Sequence, residues 1–138
     1  MSGYLLDTTV LSEVRKGERA DPGVAAWVRE QPDKSLPISV LSVGEIRRGI
    51  LLVQSHDPAQ ATALDRWLRR LLESWSRRIL TVDDRTAEIW AELMTPSPRP
   101  VIDALLGATA LRHDLTLVTR NVSDLHGSGV RLLNPFTS

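Results

Sequence analysis

Hydrophobic residues in this chain follow two alternating patterns. Short apolar runs bounded by polar or turn-forming residues are typical of buried strands, and five of them occur in the sequence. Between the runs, apolar residues recur every three or four positions, which is typical of amphipathic helices. The runs predict strands over residues 4–6, 36–40, 79–82, 115–119 and 130–133, and the repeats predict helical segments over 8–15, 22–28, 42–53, 58–75, 87–94 and 101–113.

Local signals mark where several helices begin and where a loop interrupts them. Asp21-Pro22 and Asp57-Pro58 each place a capping carboxylate before a proline at the first helical position. Ser42 is predicted to begin a third helix, because Ser42 and Glu45 have the spacing of a capping box. The segment Thr-Pro-Ser-Pro-Arg-Pro at 95–100 has too many prolines to continue a helix, and it predicts a loop.

The alternation of strands and helices predicts an α/β fold with a central, mostly parallel sheet flanked by helices. A chain of 138 residues has the usual size of one domain, so we expect a single domain over residues 1–138. Ligands of parallel α/β sheets bind at the carboxyl ends of the strands. Asp7 and the segment after Thr119 lie at two such ends, which makes them the first candidates for a functional site.

Composition and charge exclude several kinds of chemistry. Seventeen basic residues balance seventeen acidic ones, so binding of nucleic acid must come from local patches rather than from net charge. The absence of cysteine excludes a disulfide framework and a thiolate nucleophile. Asp7 interrupts the first apolar run before it reaches signal-peptide length, and no later run is long enough to span a bilayer. We therefore expect a soluble, cytoplasmic protein.

Three acidic residues stand where they could form a pocket for a divalent metal. Asp7 ends the first apolar run, Glu45 lies near the start of a helix, and Asp103 lies in the first turn of another. Mg²⁺ and Mn²⁺ prefer carboxylate and water oxygens, so a site built from these acids would suit either ion. Each acid also has a purely structural interpretation, as a helix cap, a capping-box partner and a favourable charge at a helix N-terminus, respectively.

Small residues accompany two of these acids. Asp103, Gly107 and Ala110 form a stripe without bulky side chains on one predicted helix, and Glu45 and Gly49 repeat the arrangement on another. We expect a backbone or a ligand to approach closely at both stripes.

A fourth acid follows the strand predicted at 115–119. The loop after that strand contains Asn121 and Asp124, an amide and a carboxylate where a site at the strand ends would use them. A solvated loop with local side-chain turns is the alternative interpretation of this composition.

The four acidic segments together resemble the motifs of PIN-domain ribonucleases. The segments are LLDTTVLSE at 5–13, SVGEIRRG at 42–49, DALLGATA at 103–110 and LVTRNVSD at 117–124. Within that family the chain is most similar to the VapC toxins of bacterial toxin–antitoxin pairs, particularly the FitB-like branch. Chains of that branch commonly end in a strand and an Asn-Pro-aromatic step, which is Asn134-Pro135-Phe136 here.

The resemblance implies a metal-dependent endoribonuclease that acts as the toxin of a type II toxin–antitoxin system. It implies Mg²⁺ or Mn²⁺ as the cofactor and hydrolysis of RNA by metal-activated water, with a 5′-phosphate and a 3′-hydroxyl on the products. The implied acidic site consists of Asp7, Glu45, Asp103 and Asp124. Asp7 and Asp103 would bind the metal, and Glu45 and Asp124 would bind it directly or through water.

The resemblance also implies supporting residues and partners. Thr8, Asn121 and Arg120 are the implied polar and substrate-binding groups. Arg120, Arg47 and Arg48 are candidates to guide the RNA backbone, and a solvated charge on a helix face is the alternative interpretation of all three. The implied partners are RNA, a second copy of the chain in a homodimer, and a cognate antitoxin, a small DNA-binding protein whose tail enters the acidic site.

Two positions depart from the usual family pattern. The family usually has Asn or Ser where Thr9 stands, and Phe after the fourth acid where this chain has Leu125. The first change removes an amide that would position a ligand or a water. The second changes the packing around Asp124.

Other functions remain as alternatives. A ribonuclease that uses histidine as acid and base needs two imidazoles together, but His56, His113 and His126 share no motif. An aspartyl phosphotransferase would commonly have a second Asp two residues after Asp7, where Thr9 stands. The closest alternative is a non-catalytic PIN-fold binding module in which the acids serve as helix caps.

Overall fold

A five-stranded sheet forms the centre of the computed structural model, which describes residues 3–32, 36–75 and 78–137, except for the Trp75 side chain. The strands are β1 Gly3–Leu6, β2 Ile38–Ser39, β3 Ile79–Leu80, β4 Leu115–Val118 and β5 Leu132–Leu133. Their order is β3-β2-β1-β4-β5, and every pairing among the described residues is parallel. The predicted α/β class and parallel sheet are therefore confirmed.

Six α-helices connect or flank the strands in the described part of the chain. They are α1 Thr8–Val14, α2 Pro22–Glu30, α3 Val40–Gln54, α4 Pro58–Trp75, α5 Asp84–Met94 and α6 Val101–Arg112. Two short 3₁₀ helices lie at Gly17–Arg19 and Val122–Leu125. Each predicted helix is present, and the proline-rich segment between α5 and α6 is a loop as predicted.

The sheet separates two hydrophobic cores. Successive side chains of a strand point to opposite faces, and accordingly Leu6 and Val118 belong to one core while Leu5 and Leu117 belong to the other. The first core is completed by helices α1 to α4, and the second by α5 and α6. Because both faces are covered, the strands are mostly apolar, with Thr116 of β4 as a polar exception in a strand interior.

The start of α3 differs from the prediction. The helix begins at Val40, with Ser39 as its N-cap, and the Ser39 hydroxyl accepts a hydrogen bond from the Leu41 backbone N–H at 3.0 Å. The predicted start at Ser42 and the capping box of Ser42 with Glu45 are therefore wrong. The cap also ends β2 after two residues, which is why the strand is shorter than the apolar run at 36–40.

The longest helix has the predicted limits. The Asp57 carboxylate accepts a hydrogen bond from the Gln60 backbone N–H at 3.1 Å, and α4 then begins at Pro58. Its buried residues include Ala61, Leu68 and Leu71, which share the face that contacts the first core. Among the described helices, neither this one nor any other has the length and apolar character needed to cross a membrane.

Gly107 explains how α6 packs in the second core. A Cβ added at Gly107 would lie 3.2 Å from side-chain atoms of Leu125 and Val130. The small residue therefore admits neighbouring side chains and not a ligand, which corrects one expectation drawn from the glycine stripes. Apart from the chain neighbours of Gly49 and the backbone of its own helix, no atom of the described residues lies within 4 Å of the corresponding Cβ position at Gly49.

Candidate active site

Asp7 is the most buried acid of the candidate site. It lies at the carboxyl end of β1 and is 3% exposed. Its Oδ1 accepts a hydrogen bond from the Thr8 backbone N–H at 2.6 Å, and its Oδ2 accepts from the hydroxyls of Thr9 at 2.9 Å and Thr119 at 2.6 Å. Asp7 is also the N-cap of α1. The capping interpretation is thus correct, and it does not exclude a second role.

Thr119 is a site residue that the sequence did not reveal. It lies directly after β4, whose Val118 is in register with Leu6 of β1, so Thr119 and Asp7 are neighbours at adjacent strand ends. Thr119 is 2% exposed, and its hydroxyl also accepts a hydrogen bond from the Asn121 backbone N–H at 3.0 Å. In the sequence it resembles an ordinary strand residue, and only the strand pairing indicates its partner.

Glu45 is connected to Asp7 through Thr8. The Thr8 hydroxyl donates to Glu45 Oε1 at 2.5 Å, and the Thr8 hydroxyl oxygen lies 2.9 Å from the Ser42 hydroxyl oxygen. Because a hydroxyl has one proton, Ser42 is the donor in the second contact. Ser42 is fully buried, so this pair holds the start of α1 against α3.

Asp103 and Asp124 meet at the other side of the site. Burial raises the pKa of Asp103 to about 7, and a hydrogen bond with Asp124 contributes to the rise. The negative charges of Asp7, Asp124 and Glu45 raise this pKa further. Three acids from three separate segments therefore lie within electrostatic reach of Asp103.

A cavity of about 280 Å³ opens between these residues. Its lining residues are Asp7, Thr8, Thr9, Ser12, Glu45, Asp103 and Asn121. The cavity combines carboxylates with hydroxyl and amide groups, and its Ser12 was not singled out in the sequence. Asp124 contributes through its contact with Asp103.

Comparisons with known proteins agree with this geometry. The family model described as PIN domain matches residues 4–123. The chain belongs to the PIN domain family. VapC ribonuclease Y4jK of Sinorhizobium fredii is 29% identical over 137 residues, which cover 96% of each chain. Toxin FitB of Neisseria gonorrhoeae is 27% identical over 137 residues, which cover 96% of this chain and 97% of FitB.

A solved relative has the same fold over nearly the whole length of this PIN domain. The crystal structure of FitAcB from Neisseria gonorrhoeae matches with a TM-score of 0.85 and 28% sequence identity. The match covers 96% of this chain and 97% of that chain. The family resemblance found in the sequence is therefore confirmed.

Two candidate arginines of this PIN domain, Arg120 and Arg47, differ in their contacts. The Arg120 backbone N–H donates to the Thr9 hydroxyl at 3.4 Å, and the Arg120 guanidinium lies 4.7 Å from the centre of the Phe136 ring. Arg47 pairs with Asp65 at 2.8 Å, away from the cavity.

Thr9 and Leu125, the two positions that depart from the usual family pattern, both make defined contacts. Thr9 supplies a hydroxyl to Asp7 where the family usually has Asn or Ser. Leu125 is 1% exposed and packs against Gly107, so the apolar position after Asp124 is filled.

The donor set of the site fits a hard divalent cation. Carboxylate oxygens are the ligands that Mg²⁺ and Mn²⁺ prefer, and the raised pKa of Asp103 reports negative charge that the protein does not neutralise. Within the described ranges, no three acidic or histidine side chains are arranged to hold an ion. Hydroxyl donors hold Asp7 and Glu45, whereas Asp103 and Asp124 are hydrogen-bonded to one another, so only this second pair would have to separate to hold a cation.

The histidines of this PIN domain lie outside the cavity. His56 follows α3, His113 ends α6 and His126 follows the last 3₁₀ helix, and all three are exposed. They do not face one another across the candidate site, which argues against catalysis by a pair of imidazoles.

Proposed function

We propose that this PIN domain is a metal-dependent endoribonuclease that acts as the toxin of a type II toxin–antitoxin pair. The observation that carries the proposal is the cavity that Asp7, Glu45 and Asp103 line together. Burial, the hydrogen bond with Asp124 and the charges of the other acids raise the pKa of Asp103 beside it. A helix cap requires one carboxylate at one helix end. Convergence of four carboxylates is unfavourable without a cation, and a catalytic metal site accounts for it.

The four acids have different environments and therefore different proposed roles. Asp7 and Asp103 would bind the metal, and Glu45 and Asp124 would bind it directly or through water. A bound Mg²⁺ or Mn²⁺ supplies an activated water and neutralises charge on the scissile phosphate. A hydrogen bond joins the side chains of Asp103 and Asp124, and these two side chains would have to separate for both to face an ion.

Hydroxyl groups orient the acids in this proposal. Thr9 and Thr119 each donate to Asp7 Oδ2, which leaves Oδ1 with the Thr8 backbone N–H as its donor. The Thr8 hydroxyl fixes one oxygen of Glu45. These contacts restrict both carboxylates to orientations in which they face the cavity, so less entropy is lost when a ligand binds.

Arg120 and Asn121 are proposed to contact the RNA backbone. Arg120 is exposed and adjacent to the cavity-lining Asn121, and an arginine in this place can donate to phosphate oxygens. Arg48 lines the groove beside Glu45 and is a further candidate. Arg47 is a weaker candidate because it is paired with Asp65.

The test is RNA cleavage by purified Asp7→Asn and Asp103→Asn variants in Mg²⁺, Mn²⁺ or EDTA. We expect wild type to cleave only with metal and to leave a 5′-phosphate and a 3′-hydroxyl, and each variant to lose cleavage with an unchanged circular dichroism spectrum. Asp114→Asn is the matched control, because Asp114 is an exposed acid paired with Arg131. Substantial cleavage by Asp103→Asn would refute the assignment, and RNA binding without cleavage in either metal would favour a non-catalytic module.

The proposed partner is a cognate antitoxin, a small DNA-binding protein encoded beside this chain. The names of two relatives, a VapC ribonuclease and Toxin FitB, support this proposal. We also propose that residues 1–138 act as one cytoplasmic domain that forms a homodimer. Induction should arrest growth and co-expression of the adjacent gene should relieve the arrest, while light scattering measures the oligomer. A harmless chain that binds no adjacent product would refute the toxin assignment.

A further inference from the structure

Arg99 joins the loop before α6 to the segment that carries Asp124. The guanidinium Nε donates to the Leu93 carbonyl at 3.2 Å, at the end of α5. Its Nη1 donates to the carbonyls of Asp124 at 3.2 Å and His126 at 3.1 Å. One side chain of the proline-rich loop thus makes three hydrogen bonds to backbone oxygens in two other segments.

The segment that Arg99 contacts has weak hydrogen bonds of its own. Residues 122–125 form a single 3₁₀ turn without a side-chain cap. The backbone N–H groups of Asp124 and His126 donate to Asn121 and Ser123 carbonyls, both at 3.3 Å. Such turns have poor hydrogen-bond geometry and little intrinsic stability. The position of the Asp124 side chain must therefore depend on contacts from outside the turn.

Contacts from outside hold this turn. Leu125 is buried against Gly107 of α6 and fixes the distance between the turn and the core. The Asp124 side chain is hydrogen-bonded to Asp103. Arg99 binds the carbonyls on both sides of Leu125, so it fixes the backbone of the turn at two points next to the Asp124 side chain.

We propose that Arg99 is a positioning residue that holds the Asp124 carboxyl against Asp103. The guanidinium suits this role because its planar fork directs donors toward Leu93 and toward the turn at the same time. A lysine has one charged nitrogen and cannot span both segments. The loop at 95–100 thereby acts on the acidic site through the backbone of the turn. The inference rests on the proposed function, in which Asp124 takes part in RNA cleavage.

The first test is a double-mutant cycle with Arg99→Gln, Asp124→Asn and the double variant. Displacing a catalytic group by about 1 Å costs on the order of 100-fold in rate, so we expect Arg99→Gln to lower kcat by about that factor with KM nearly unchanged. Arg131→Gln is the matched control. Arg131 lies directly before β5, and its guanidinium pairs with the exposed Asp114. If Arg99 acts through Asp124, the double variant loses no more than Asp124→Asn alone. Multiplied losses, or wild-type kcat in Arg99→Gln, would overturn the proposal.

The second test does not require activity. Amide hydrogen exchange is measured in EDTA for wild type, Arg99→Gln and Arg131→Gln. We expect exchange at residues 122–126 to accelerate by about tenfold in Arg99→Gln alone, because local opening becomes easier there. Equal exchange in the two variants would overturn the positioning role. If wild type cleaves no RNA, the proposed function fails while this test still decides the role of Arg99. If Arg99→Gln does not fold, Arg99→Lys replaces it in both tests with the same expectations.

Discussion

Replacing Asp103 by asparagine should stabilise the metal-free protein at neutral pH. Burial and three nearby acids raise the pKa of Asp103 from 3.8 to about 7. A carboxyl whose pKa is higher in the folded state than in the unfolded state favours unfolding once the pH exceeds its unfolded value. Asparagine has nearly the same shape, carries no charge and can donate its amide hydrogens to Asp124. The substitution therefore removes the repulsion and keeps the hydrogen bond.

The magnitude follows from the pKa. Each pKa unit corresponds to about 1.4 kcal/mol, so the whole rise would amount to about 4 kcal/mol at pH values above 7. Asp103 is partly exposed, and screening by solvent reduces the expected gain to about 2 kcal/mol. For a chain of 138 residues this corresponds to an increase in Tm of about 5 to 10 °C.

The assay is thermal unfolding in EDTA at several pH values. Below pH 3.8 the wild-type carboxyl is protonated in both states, so wild type and Asp103→Asn should differ little. Between that pH and about 7 the advantage of Asp103→Asn should grow, and above about 7 it should remain constant. Asp114→Asn is the control, because Asp114 is exposed and has a φ of 55°, which asparagine tolerates.

In the same assay, metal should stabilise wild type more than it stabilises Asp103→Asn. A ligand that binds only the folded state stabilises it by about 2.7 kcal/mol at a hundredfold excess over its Kd, so Mn²⁺ or Mg²⁺ should raise the Tm of wild type. Asp103→Asn should respond less, since it lacks one proposed ligand. A Tm that does not change with metal, together with an Asp103→Asn variant no more stable than wild type in EDTA, would refute the argument and favour the capping interpretation.

Three further predictions concern contacts outside the acids. Thr119→Val should lower the free energy of unfolding, measured in urea, by about 1 to 3 kcal/mol, because Asp7 loses a buried hydrogen-bond donor. Thr119→Ser keeps the hydroxyl and should have nearly the stability of wild type. Equal stability of the two variants would contradict the assigned hydrogen bond. The hydrogen bond from the Thr137 hydroxyl is the main reason that the pKa of Asp21 is lowered. Asp21→Asn should therefore lower Tm at pH 7, and the difference in Tm from wild type should vanish as the pH falls well below 3.8. A difference in Tm that does not change with pH would contradict this prediction. Gly23→Ala should lower Tm, because the added Cβ would overlap the backbone oxygen of Pro135; an unchanged Tm would contradict this prediction.

Much of the fold was predictable because helix starts and strand runs depend on residues close together in sequence. Asp57-Pro58 marked the start of α4 within one turn, and the alternation of short apolar runs with helical repeats predicted the parallel sheet. The α3 start was mispredicted because two serines could both cap it. Ser39 is the cap in the structure, where β2 pairs with β1 and β3 just before the helix begins.

The four acids were named from their motifs, but their environment required the tertiary structure. Asp7 and Thr119 are hydrogen-bonded across 112 positions of the chain, and nothing local in either segment indicates the other. Their contact follows from the register of β1 with β4, and the raised pKa of Asp103 follows from burial beside three distant charges. Sequence patterns report which side chains a segment presents, whereas distances between segments are decided by strand pairing and packing, which depend on the whole chain at once.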